Sequence, residues 1–384
     1  MRITQRLVGV SVMALMAGCS TLSSLNPFGS KNKGNQPAEL VELKATMAVR
    51  TAWKLDIGKA DNNVFTPAVI GQTLVVAGAD GSLARVQASD GRQLWRVKSE
   101  TGLTAGVGTD GNIIVVGGGK GAVLAYDLEG KRLWRAQASS EVLSAPAVGQ
   151  GVVVVRSIDN RIVGLDAATG EKKWTVQRVA PPLTLRNAPG MVVVNKDVII
   201  AQPGGKLLSL NLATGAPRWE VAVGESRGAT ELERVTDIGG IPVVIDNDVC
   251  AVSYQGRVGC FDVATGTARW TKELSSEAGV SADQRFVFTV DDKGAVSAFN
   301  RETGSSVWKN DKLSYRRLST PVSYGRAVAV GDYQGIVHFL AREDGAFLAR
   351  AATDGSAITS TPLVVGSNLI FQTQAGTVTA IAVE

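Results

Sequence analysis

Few side chains in this 384-residue chain are equipped for chemistry: it holds three cysteines and one histidine. Cys250 and Cys260 flank the turn Tyr254-Gln-Gly256. A two-residue turn there sets Cys250 opposite Phe261, whereas one extra residue sets it opposite Cys260, where a disulfide can close. In the other register the thiols fall on opposite faces and stay free. Nothing resembles Cys-x-x-Cys, so the pair reads as a local staple rather than a redox centre. His338 has no second His or Cys at metal-ligand spacing. A lone imidazole defines neither a zinc site nor a catalytic triad, so a structural role is expected. Gly117-Gly-Gly-Lys-Gly121 has the composition of a phosphate-binding loop. It falls between two strands, with no helix behind it to present N–H groups to an anion. No converging set of carboxylates stands in the segments expected to line a channel. The residues imply no catalytic group, no metal and no cofactor.

The elements that carry these residues are organised by one phrase. Asp166-Ala-Ala-Thr-Gly-Glu-Lys-Lys-Trp174 returns as Asp262 to Trp270, Asn211 to Trp219 and Asn300 to Trp308, with degraded copies ending at Trp95 and Trp134. The Asp or Asn and the Thr can hydrogen-bond turn backbone, and the Gly accepts a positive φ. The Trp, four residues after the Gly, opens the next strand with a large ring to bury. Repetition at this period indicates a circular or stacked array of one small β unit.

Composition agrees. The chain is 45% hydrophobic with 43 Gly and 12 Pro, and no long stretch has helical periodicity. That favours an all-β chain with frequent turns. The charge is +5, and no Lys/Arg stripe is interleaved with aromatics, so no nucleic-acid partner is expected. Arg2 and Arg6 open a basic start, Leu7 to Leu15 is apolar, and Met16-Ala-Gly-Cys19 is a small-residue cleavage site. This resembles the lipobox of bacterial lipoproteins, with Met16 where Leu is usual. The resemblance implies a signal peptide over 1–18, a lipidated Cys19, and an oxidising compartment that favours the Cys250–Cys260 bond. Ser20 after the Cys points by the same resemblance to the outer membrane. Residues 19–47, beginning with a Ser-, Asn-, Gly- and Lys-rich stretch, read as a flexible tether before a body at 48–384.

One unit of that body shows four short strands, A to D: Ser144 to Val148, Gly151 to Val155, Arg161 to Leu165, then the strand containing Trp174. Several A strands open with a small residue and Pro, as at Pro67, Pro146, Pro321 and Pro362, where no ladder donor is lost. Counting the Gly-led B–C hairpins, with Asn160 in the Gly slot of one, gives eight units. The first Trp, Trp53, lies in a D strand with no C strand before it, and the last hairpin ends at Glu384 without a D strand. Pairing the two ends completes a unit and closes a ring. The expected fold is an eight-bladed β-propeller of four-stranded antiparallel blades. Its junctions are sealed by Trp53, Trp95, Trp134, Trp174, Trp219, Trp270 and Trp308, with Ala349 in the eighth slot.

The Trp-to-Trp spacings are 42, 39, 40, 45, 51 and 38. The two long ones place extra residues after Trp174 (178–189) and after Trp219 (224–240). Both are D-to-A connections of successive blades, so they are neighbours on one rim. The first carries Leu183 and Leu185 beside Arg186. Exposed apolar residues next to charge on a rigid scaffold mark a binding surface; the alternative is that the loops fold back to cap the channel.

The lipobox, the Thr-Gly-x-x-x-Trp units and the paired loops together resemble the BamB family, propeller lipoproteins of the bacterial outer-membrane β-barrel assembly (BAM) complex. The resemblance covers essentially the whole chain. Pro182-Leu-Thr-Leu-Arg186 is similar to the segment with which that family contacts the periplasmic POTRA domains of BamA, and Leu183, Leu185 and Arg186 fall in the matching places. Thr236-Asp237 matches the start of an acidic pair in the second loop, whose second acid is Gly239 here. The resemblance implies a non-enzymatic scaffold on the periplasmic face of the outer membrane, held there only by its lipid. It implies a monomeric subunit of a hetero-oligomer, with BamA, other BAM subunits and nascent outer-membrane proteins as partners. Quinoprotein dehydrogenase propellers share the blade phrase, but their adjacent cysteines are missing here. A cell-wall or glycan-binding propeller is a third class.

Overall fold

Unbroken apolar runs set the middle of each sheet. A computed structural model describes residues 35–383, and in it Val152 to Val155 and Ile162 to Leu165 are all buried. Strands covered on both faces carry such runs in place of alternation. The D strand Lys172–Gln177 instead exposes most residues and buries Trp174. Each repeat is therefore a four-stranded antiparallel sheet with its B and C strands sandwiched between neighbouring sheets and its D strand facing solvent. Eight such sheets form the blades. Three-residue A strands such as Ala68–Ile70 and Ala147–Gly149 line a central channel of about 670 Å3, as do Pro67 and Pro146 ahead of them.

The phrase works as the turn chemistry requires. Asp166 Oδ1 accepts from the N–H groups of Ala168 and Thr169, and Thr169 Oγ1 from that of Glu171. In the B–C hairpin that lacks Gly, Asn160 takes φ 59°, a region Asn tolerates. The Trp has a second task. Its Nε1–H crosses to the backbone carbonyl of the next blade's turn: Trp53 to Ala88, Trp95 to Leu128, Trp134 to Ala167, Trp174 to Leu212, Trp219 to Val263, Trp270 to Arg301 and Trp308 to Arg342. Its ring lies on the Gly of that same turn. A Cβ at Gly170 meets the Trp134 ring at 2.6 Å. The Gly is thus required twice, for its φ of 74° and for the space above it.

A β-bulge aims the Trp. Gly164 pairs with Trp174 and Leu165 with Lys172, leaving Lys173 as the extra residue. The same shift recurs in the C–D pair of every blade. Leu94, Leu133 and Val307 are the extra residues in their blades, which explains three exposed apolar side chains without invoking a partner.

Gly170→Ala is expected to destabilise by about 1 kcal/mol through its backbone and by a further ~1–3 kcal/mol through overpacking on Trp134. Gly151 has a similar φ of 76° but nothing within 4 Å of an added Cβ. Gly151→Ala therefore isolates the backbone cost. Thermal unfolding of the two variants measures the ring contact; equal midpoints would show that the Trp–Gly packing contributes nothing.

The ring closes through the chain ends. Val49–Asp56 pairs antiparallel with Thr377–Val383 as the D strand of the eighth blade. Asn368 and Gln372 then donate across the seam to the carbonyls of Ala88 and Ala77 in the first blade. The eighth junction lacks a Trp where the receiving turn is replaced by the chain ends. There Ala349 is buried in one cluster with Leu348 and Met47.

The compact body begins at Pro37, ahead of the expected boundary at 48. Residues 37–47, assigned above to the tether, run along the seventh blade. Ala38 N–H donates to Ser314 O, Thr46 N–H to Leu348 O, and Arg350 Nη1 to Val41 O. Arg316 holds Ala38 O at 2.9 Å and forms a buried ion pair with Asp332 at 2.6 Å. Asp332 also meets His338 Nε2 at 2.9 Å. The expected structural role of His338 is thereby specified. Its Nδ1 is buried with no partner among the described residues. That fits a neutral ring donating from Nε2.

Candidate functional site

The two long connections leave successive blades on one rim and touch. Gly190 N–H donates to Gly240 O at 2.9 Å, and Asn187 Nδ2 to Ile238 O at 3.3 Å. Their bases line the mouth of the channel through Arg186, Asn187, Gly190, Gly240 and Ile241. Their outer parts point away from it. Leu183 is 47% exposed, Val179 95% and Leu232 72%, and none of the three lines the channel. The adjoining B–C turn adds Ile158, also exposed. Val179, Leu232 and Ile158 extend the apolar surface beyond the pair read from the sequence. Their signal was the absence of any partner at the right period in a loop.

The second loop holds its own shape. Glu233 accepts from the N–H groups of Ala229 and Thr230, which keep its carboxyl below the usual range, and Arg234 Nε donates to Gly228 O. This single turn lifts Leu232 into solvent.

The four expected contact residues divide by location. Leu183 is exposed and Leu185 is half-buried behind it. Arg186 is exposed, yet its guanidinium is already closed by a two-pronged pair with Glu141 at 2.9 and 3.0 Å. The hydrogen bond from Arg186 outweighs burial and holds the Glu141 carboxyl low. Asp237 stands apart: it is 2% exposed. Its Oδ2 accepts from Leu185 N–H at 2.5 Å and its Oδ1 from Gly204 N–H at 2.9 Å. Asp237 is a bracket that fixes the first loop, set below the exposed rim. Gly239, the place of the second acid, has no space for a side chain, because a Cβ there lies 2.8 Å from the backbone of Ser276 and Glu277.

Behind the first loop is a cavity of about 250 Å3 lined by Leu143, Arg156, Asn160, Leu185, Pro189 and Asp237, among others. Arg156 ends the B strand Val152–Arg156 and is only 8% exposed. No feature of the sequence singled it out, since one Arg after a Val run is unremarked by any motif.

The remaining sequence candidates are placed as follows. Cys250 pairs with Cys260 and the two form a disulfide, because the hairpin turn holds three residues between Ser253 and Arg257. Gly119–Gly121 is one turn leading into the strand Ala122–Tyr126, and Lys120 O is occupied by the Gln137 side chain. Cys19 and the signal segment lie outside the described residues.

Comparison with known proteins follows the same lines. The family model described as outer membrane protein assembly factor BamB matches residues 51–310. A protein of that name from Burkholderia pseudomallei is 42% identical over 95% of this chain and 94% of its own. The crystal structure of BamB from Moraxella catarrhalis superposes with a TM-score of 0.80 at 29% identity, covering 87% of this chain and all of that one. A quinohemoprotein alcohol dehydrogenase from Comamonas testosteroni has a TM-score of 0.68 at 13% identity over 87% of this chain and 76% of its own, a likeness of fold alone.

Proposed function

The chain belongs to the BamB family of outer membrane protein assembly factors, and on that premise we propose that it is a non-enzymatic scaffold of the BAM complex. In this reading the rim built by the two long loops binds the POTRA domains of BamA, at the periplasmic face of the outer membrane, with acyl chains on Cys19 as the anchor. One observation carries the proposal. Two oversized connections from neighbouring blades are locked together by Asp237 and present Leu183, Val179 and Leu232 to solvent. A rigid platform with apolar tips suits a protein partner: the loop is pre-ordered, so little freedom is lost on docking. An extended loop can also lie against the edge strand of a partner sheet and add main-chain hydrogen bonds to side-chain burial.

The test is co-purification from membrane extracts. Replacing Leu183, Leu185 and Arg186 together by Ala is expected to remove BamA from the eluate while the thermal midpoint stays within a few degrees. Retention of BamA by the triple variant would sink the assignment of this rim.

A further inference from the structure

The cavity behind the first loop holds a cation whose hydrogen-bonding capacity is mostly unused. Arg156 Nη2 reaches Ser144 Oγ at 3.3 Å, and Nε has no partner among the described residues. The acids nearby are committed. Asp237 spends one oxygen on Leu185 N–H and the other on Gly204 N–H. Glu141 is closed on Arg186. Burial pulls Arg156 down to about 10, with the charge of Asp237 opposing from a distance. A buried donor left unmatched is destabilising, and more so when it is charged. The walls are apolar: Leu143, Leu185 and Pro189. The mouth is bordered by exposed Ile158 and Arg186, so it opens on the rim itself. At roughly 30 Å3 per water, the volume of about 250 Å3 accommodates a side chain of several heavy atoms.

We propose that this cavity is a receptor for a carboxylate side chain, an aspartate or glutamate carried by the protein that docks on the rim. The guanidinium supplies charge-assisted hydrogen bonds to the carboxylate, and the apolar walls cover its methylenes. The rim then recognises an acid set among apolar residues, and not an apolar surface alone. This rests on the docking role proposed above, and it deepens that role by naming the chemistry the partner must bring.

Two measurements test it. First, the side-chain Nε–H signal of Arg156 in the labelled full-length chain, identified by its loss in Arg156→Lys, is followed during titration with three small probes. N-acetylglutamate N-methylamide is expected to move it saturably. N-acetylglutamine N-methylamide, the neutral isostere, is expected to bind at least about tenfold more weakly. N-acetylleucine carries its carboxylate at a chain end and is expected to leave the signal in place. Equal shifts from the glutamine probe, no shift from any probe, or preference for N-acetylleucine overturns the proposal. Second, Arg156→Met is expected to lower affinity for purified BamA POTRA domains about tenfold or more, with circular dichroism confirming the fold and Arg156→Lys intermediate. If the wild-type chain does not bind those domains, the docking role fails and the probe titration alone judges the cavity. If it binds and Arg156→Met binds equally, the cavity proposal fails and the docking role stands.

Discussion

Asp237→Ala is expected to cost most of the affinity proposed above for BamA POTRA domains, tenfold or more, although Asp237 is buried. The reason is the bracket. Asp237 is 2% exposed and accepts from two backbone N–H groups on different segments, Leu185 and Gly204. Hydrogen bonds to a charged acceptor contribute about 1.5–3 kcal/mol each. Without them the Leu185 end of the first loop is freed from the second loop and from the neighbouring hairpin, with only the Gly190–Gly240 and Asn187–Ile238 bonds left nearer its base, and Leu183 and Arg186 lose their fixed spacing. The damage is local, so the global melting temperature should fall little. Asp237→Asn is expected to be nearly as harmful, because its amide nitrogen must face one of two N–H donors. Hydrogen exchange at Leu185 and Gly204 is the decisive readout, and it should rise sharply in both variants. A loss of affinity with unchanged exchange at those amides would instead make Asp237 a direct contact.

The second large effect lies in the seventh blade. Asp332→Ala is expected to destabilise the whole body by about 3–5 kcal/mol, the range for stripping the partner from a buried charge. Arg316 is 3% exposed and His338 fully buried, so neither can turn to water when the carboxylate is gone. Exchange along residues 38–47 should rise too, because Arg316 also holds Ala38 O. Thermal unfolding and exchange check the two statements separately. A variant as stable as the wild type would mean that the Arg316 charge is compensated elsewhere.

The same cluster sets an acid limit. Burial pulls His338 below its ordinary 6.5, and the charges of Arg350 and Arg316 add to this, outweighing the pull of Asp332 in the other direction. The folded chain therefore keeps this ring neutral while the unfolded chain protonates it. Stability is full above about pH 6.5 and falls as pH drops from there toward the folded value, by at most about 1.4 kcal/mol per pH unit. Burial pushes Asp332 up, but hydrogen bonds from His338, the Ile336 N–H and Arg316 outweigh it and hold it below 3.8. Its contribution is intact above the unfolded value and disappears as pH falls through the folded one. His338→Gln should flatten the profile between pH 6.5 and 5 and leave the steeper loss at lower pH. An unchanged slope would assign the first loss to other groups.

The repeat was readable because its parts act over a few residues. Asp166, Thr169 and Gly170 bond or bend one turn, and such chemistry is written in consecutive letters. The count of eight followed from the hairpin copies, the closing pair of chain ends from the incomplete units at either end, and the shared rim of the long loops from the Trp-to-Trp spacing. The reading of Cys250 and Cys260 stopped between two registers, since one residue in the turn decides the face and turn length is set by the sheet on either side. Motif reading could not reach the groups that meet across blades. Leu185 and Asp237 are 52 residues apart. Matching the family's motif marked Asp237 as a partner contact, but burial made it a bracket. Arg156 became a candidate only when two blades and a loop enclosed it. Local hydrogen bonds and apolar period determine the blade and how many there are. Desolvation, which decides whether a charge supports or recognises, exists only after the blades have packed.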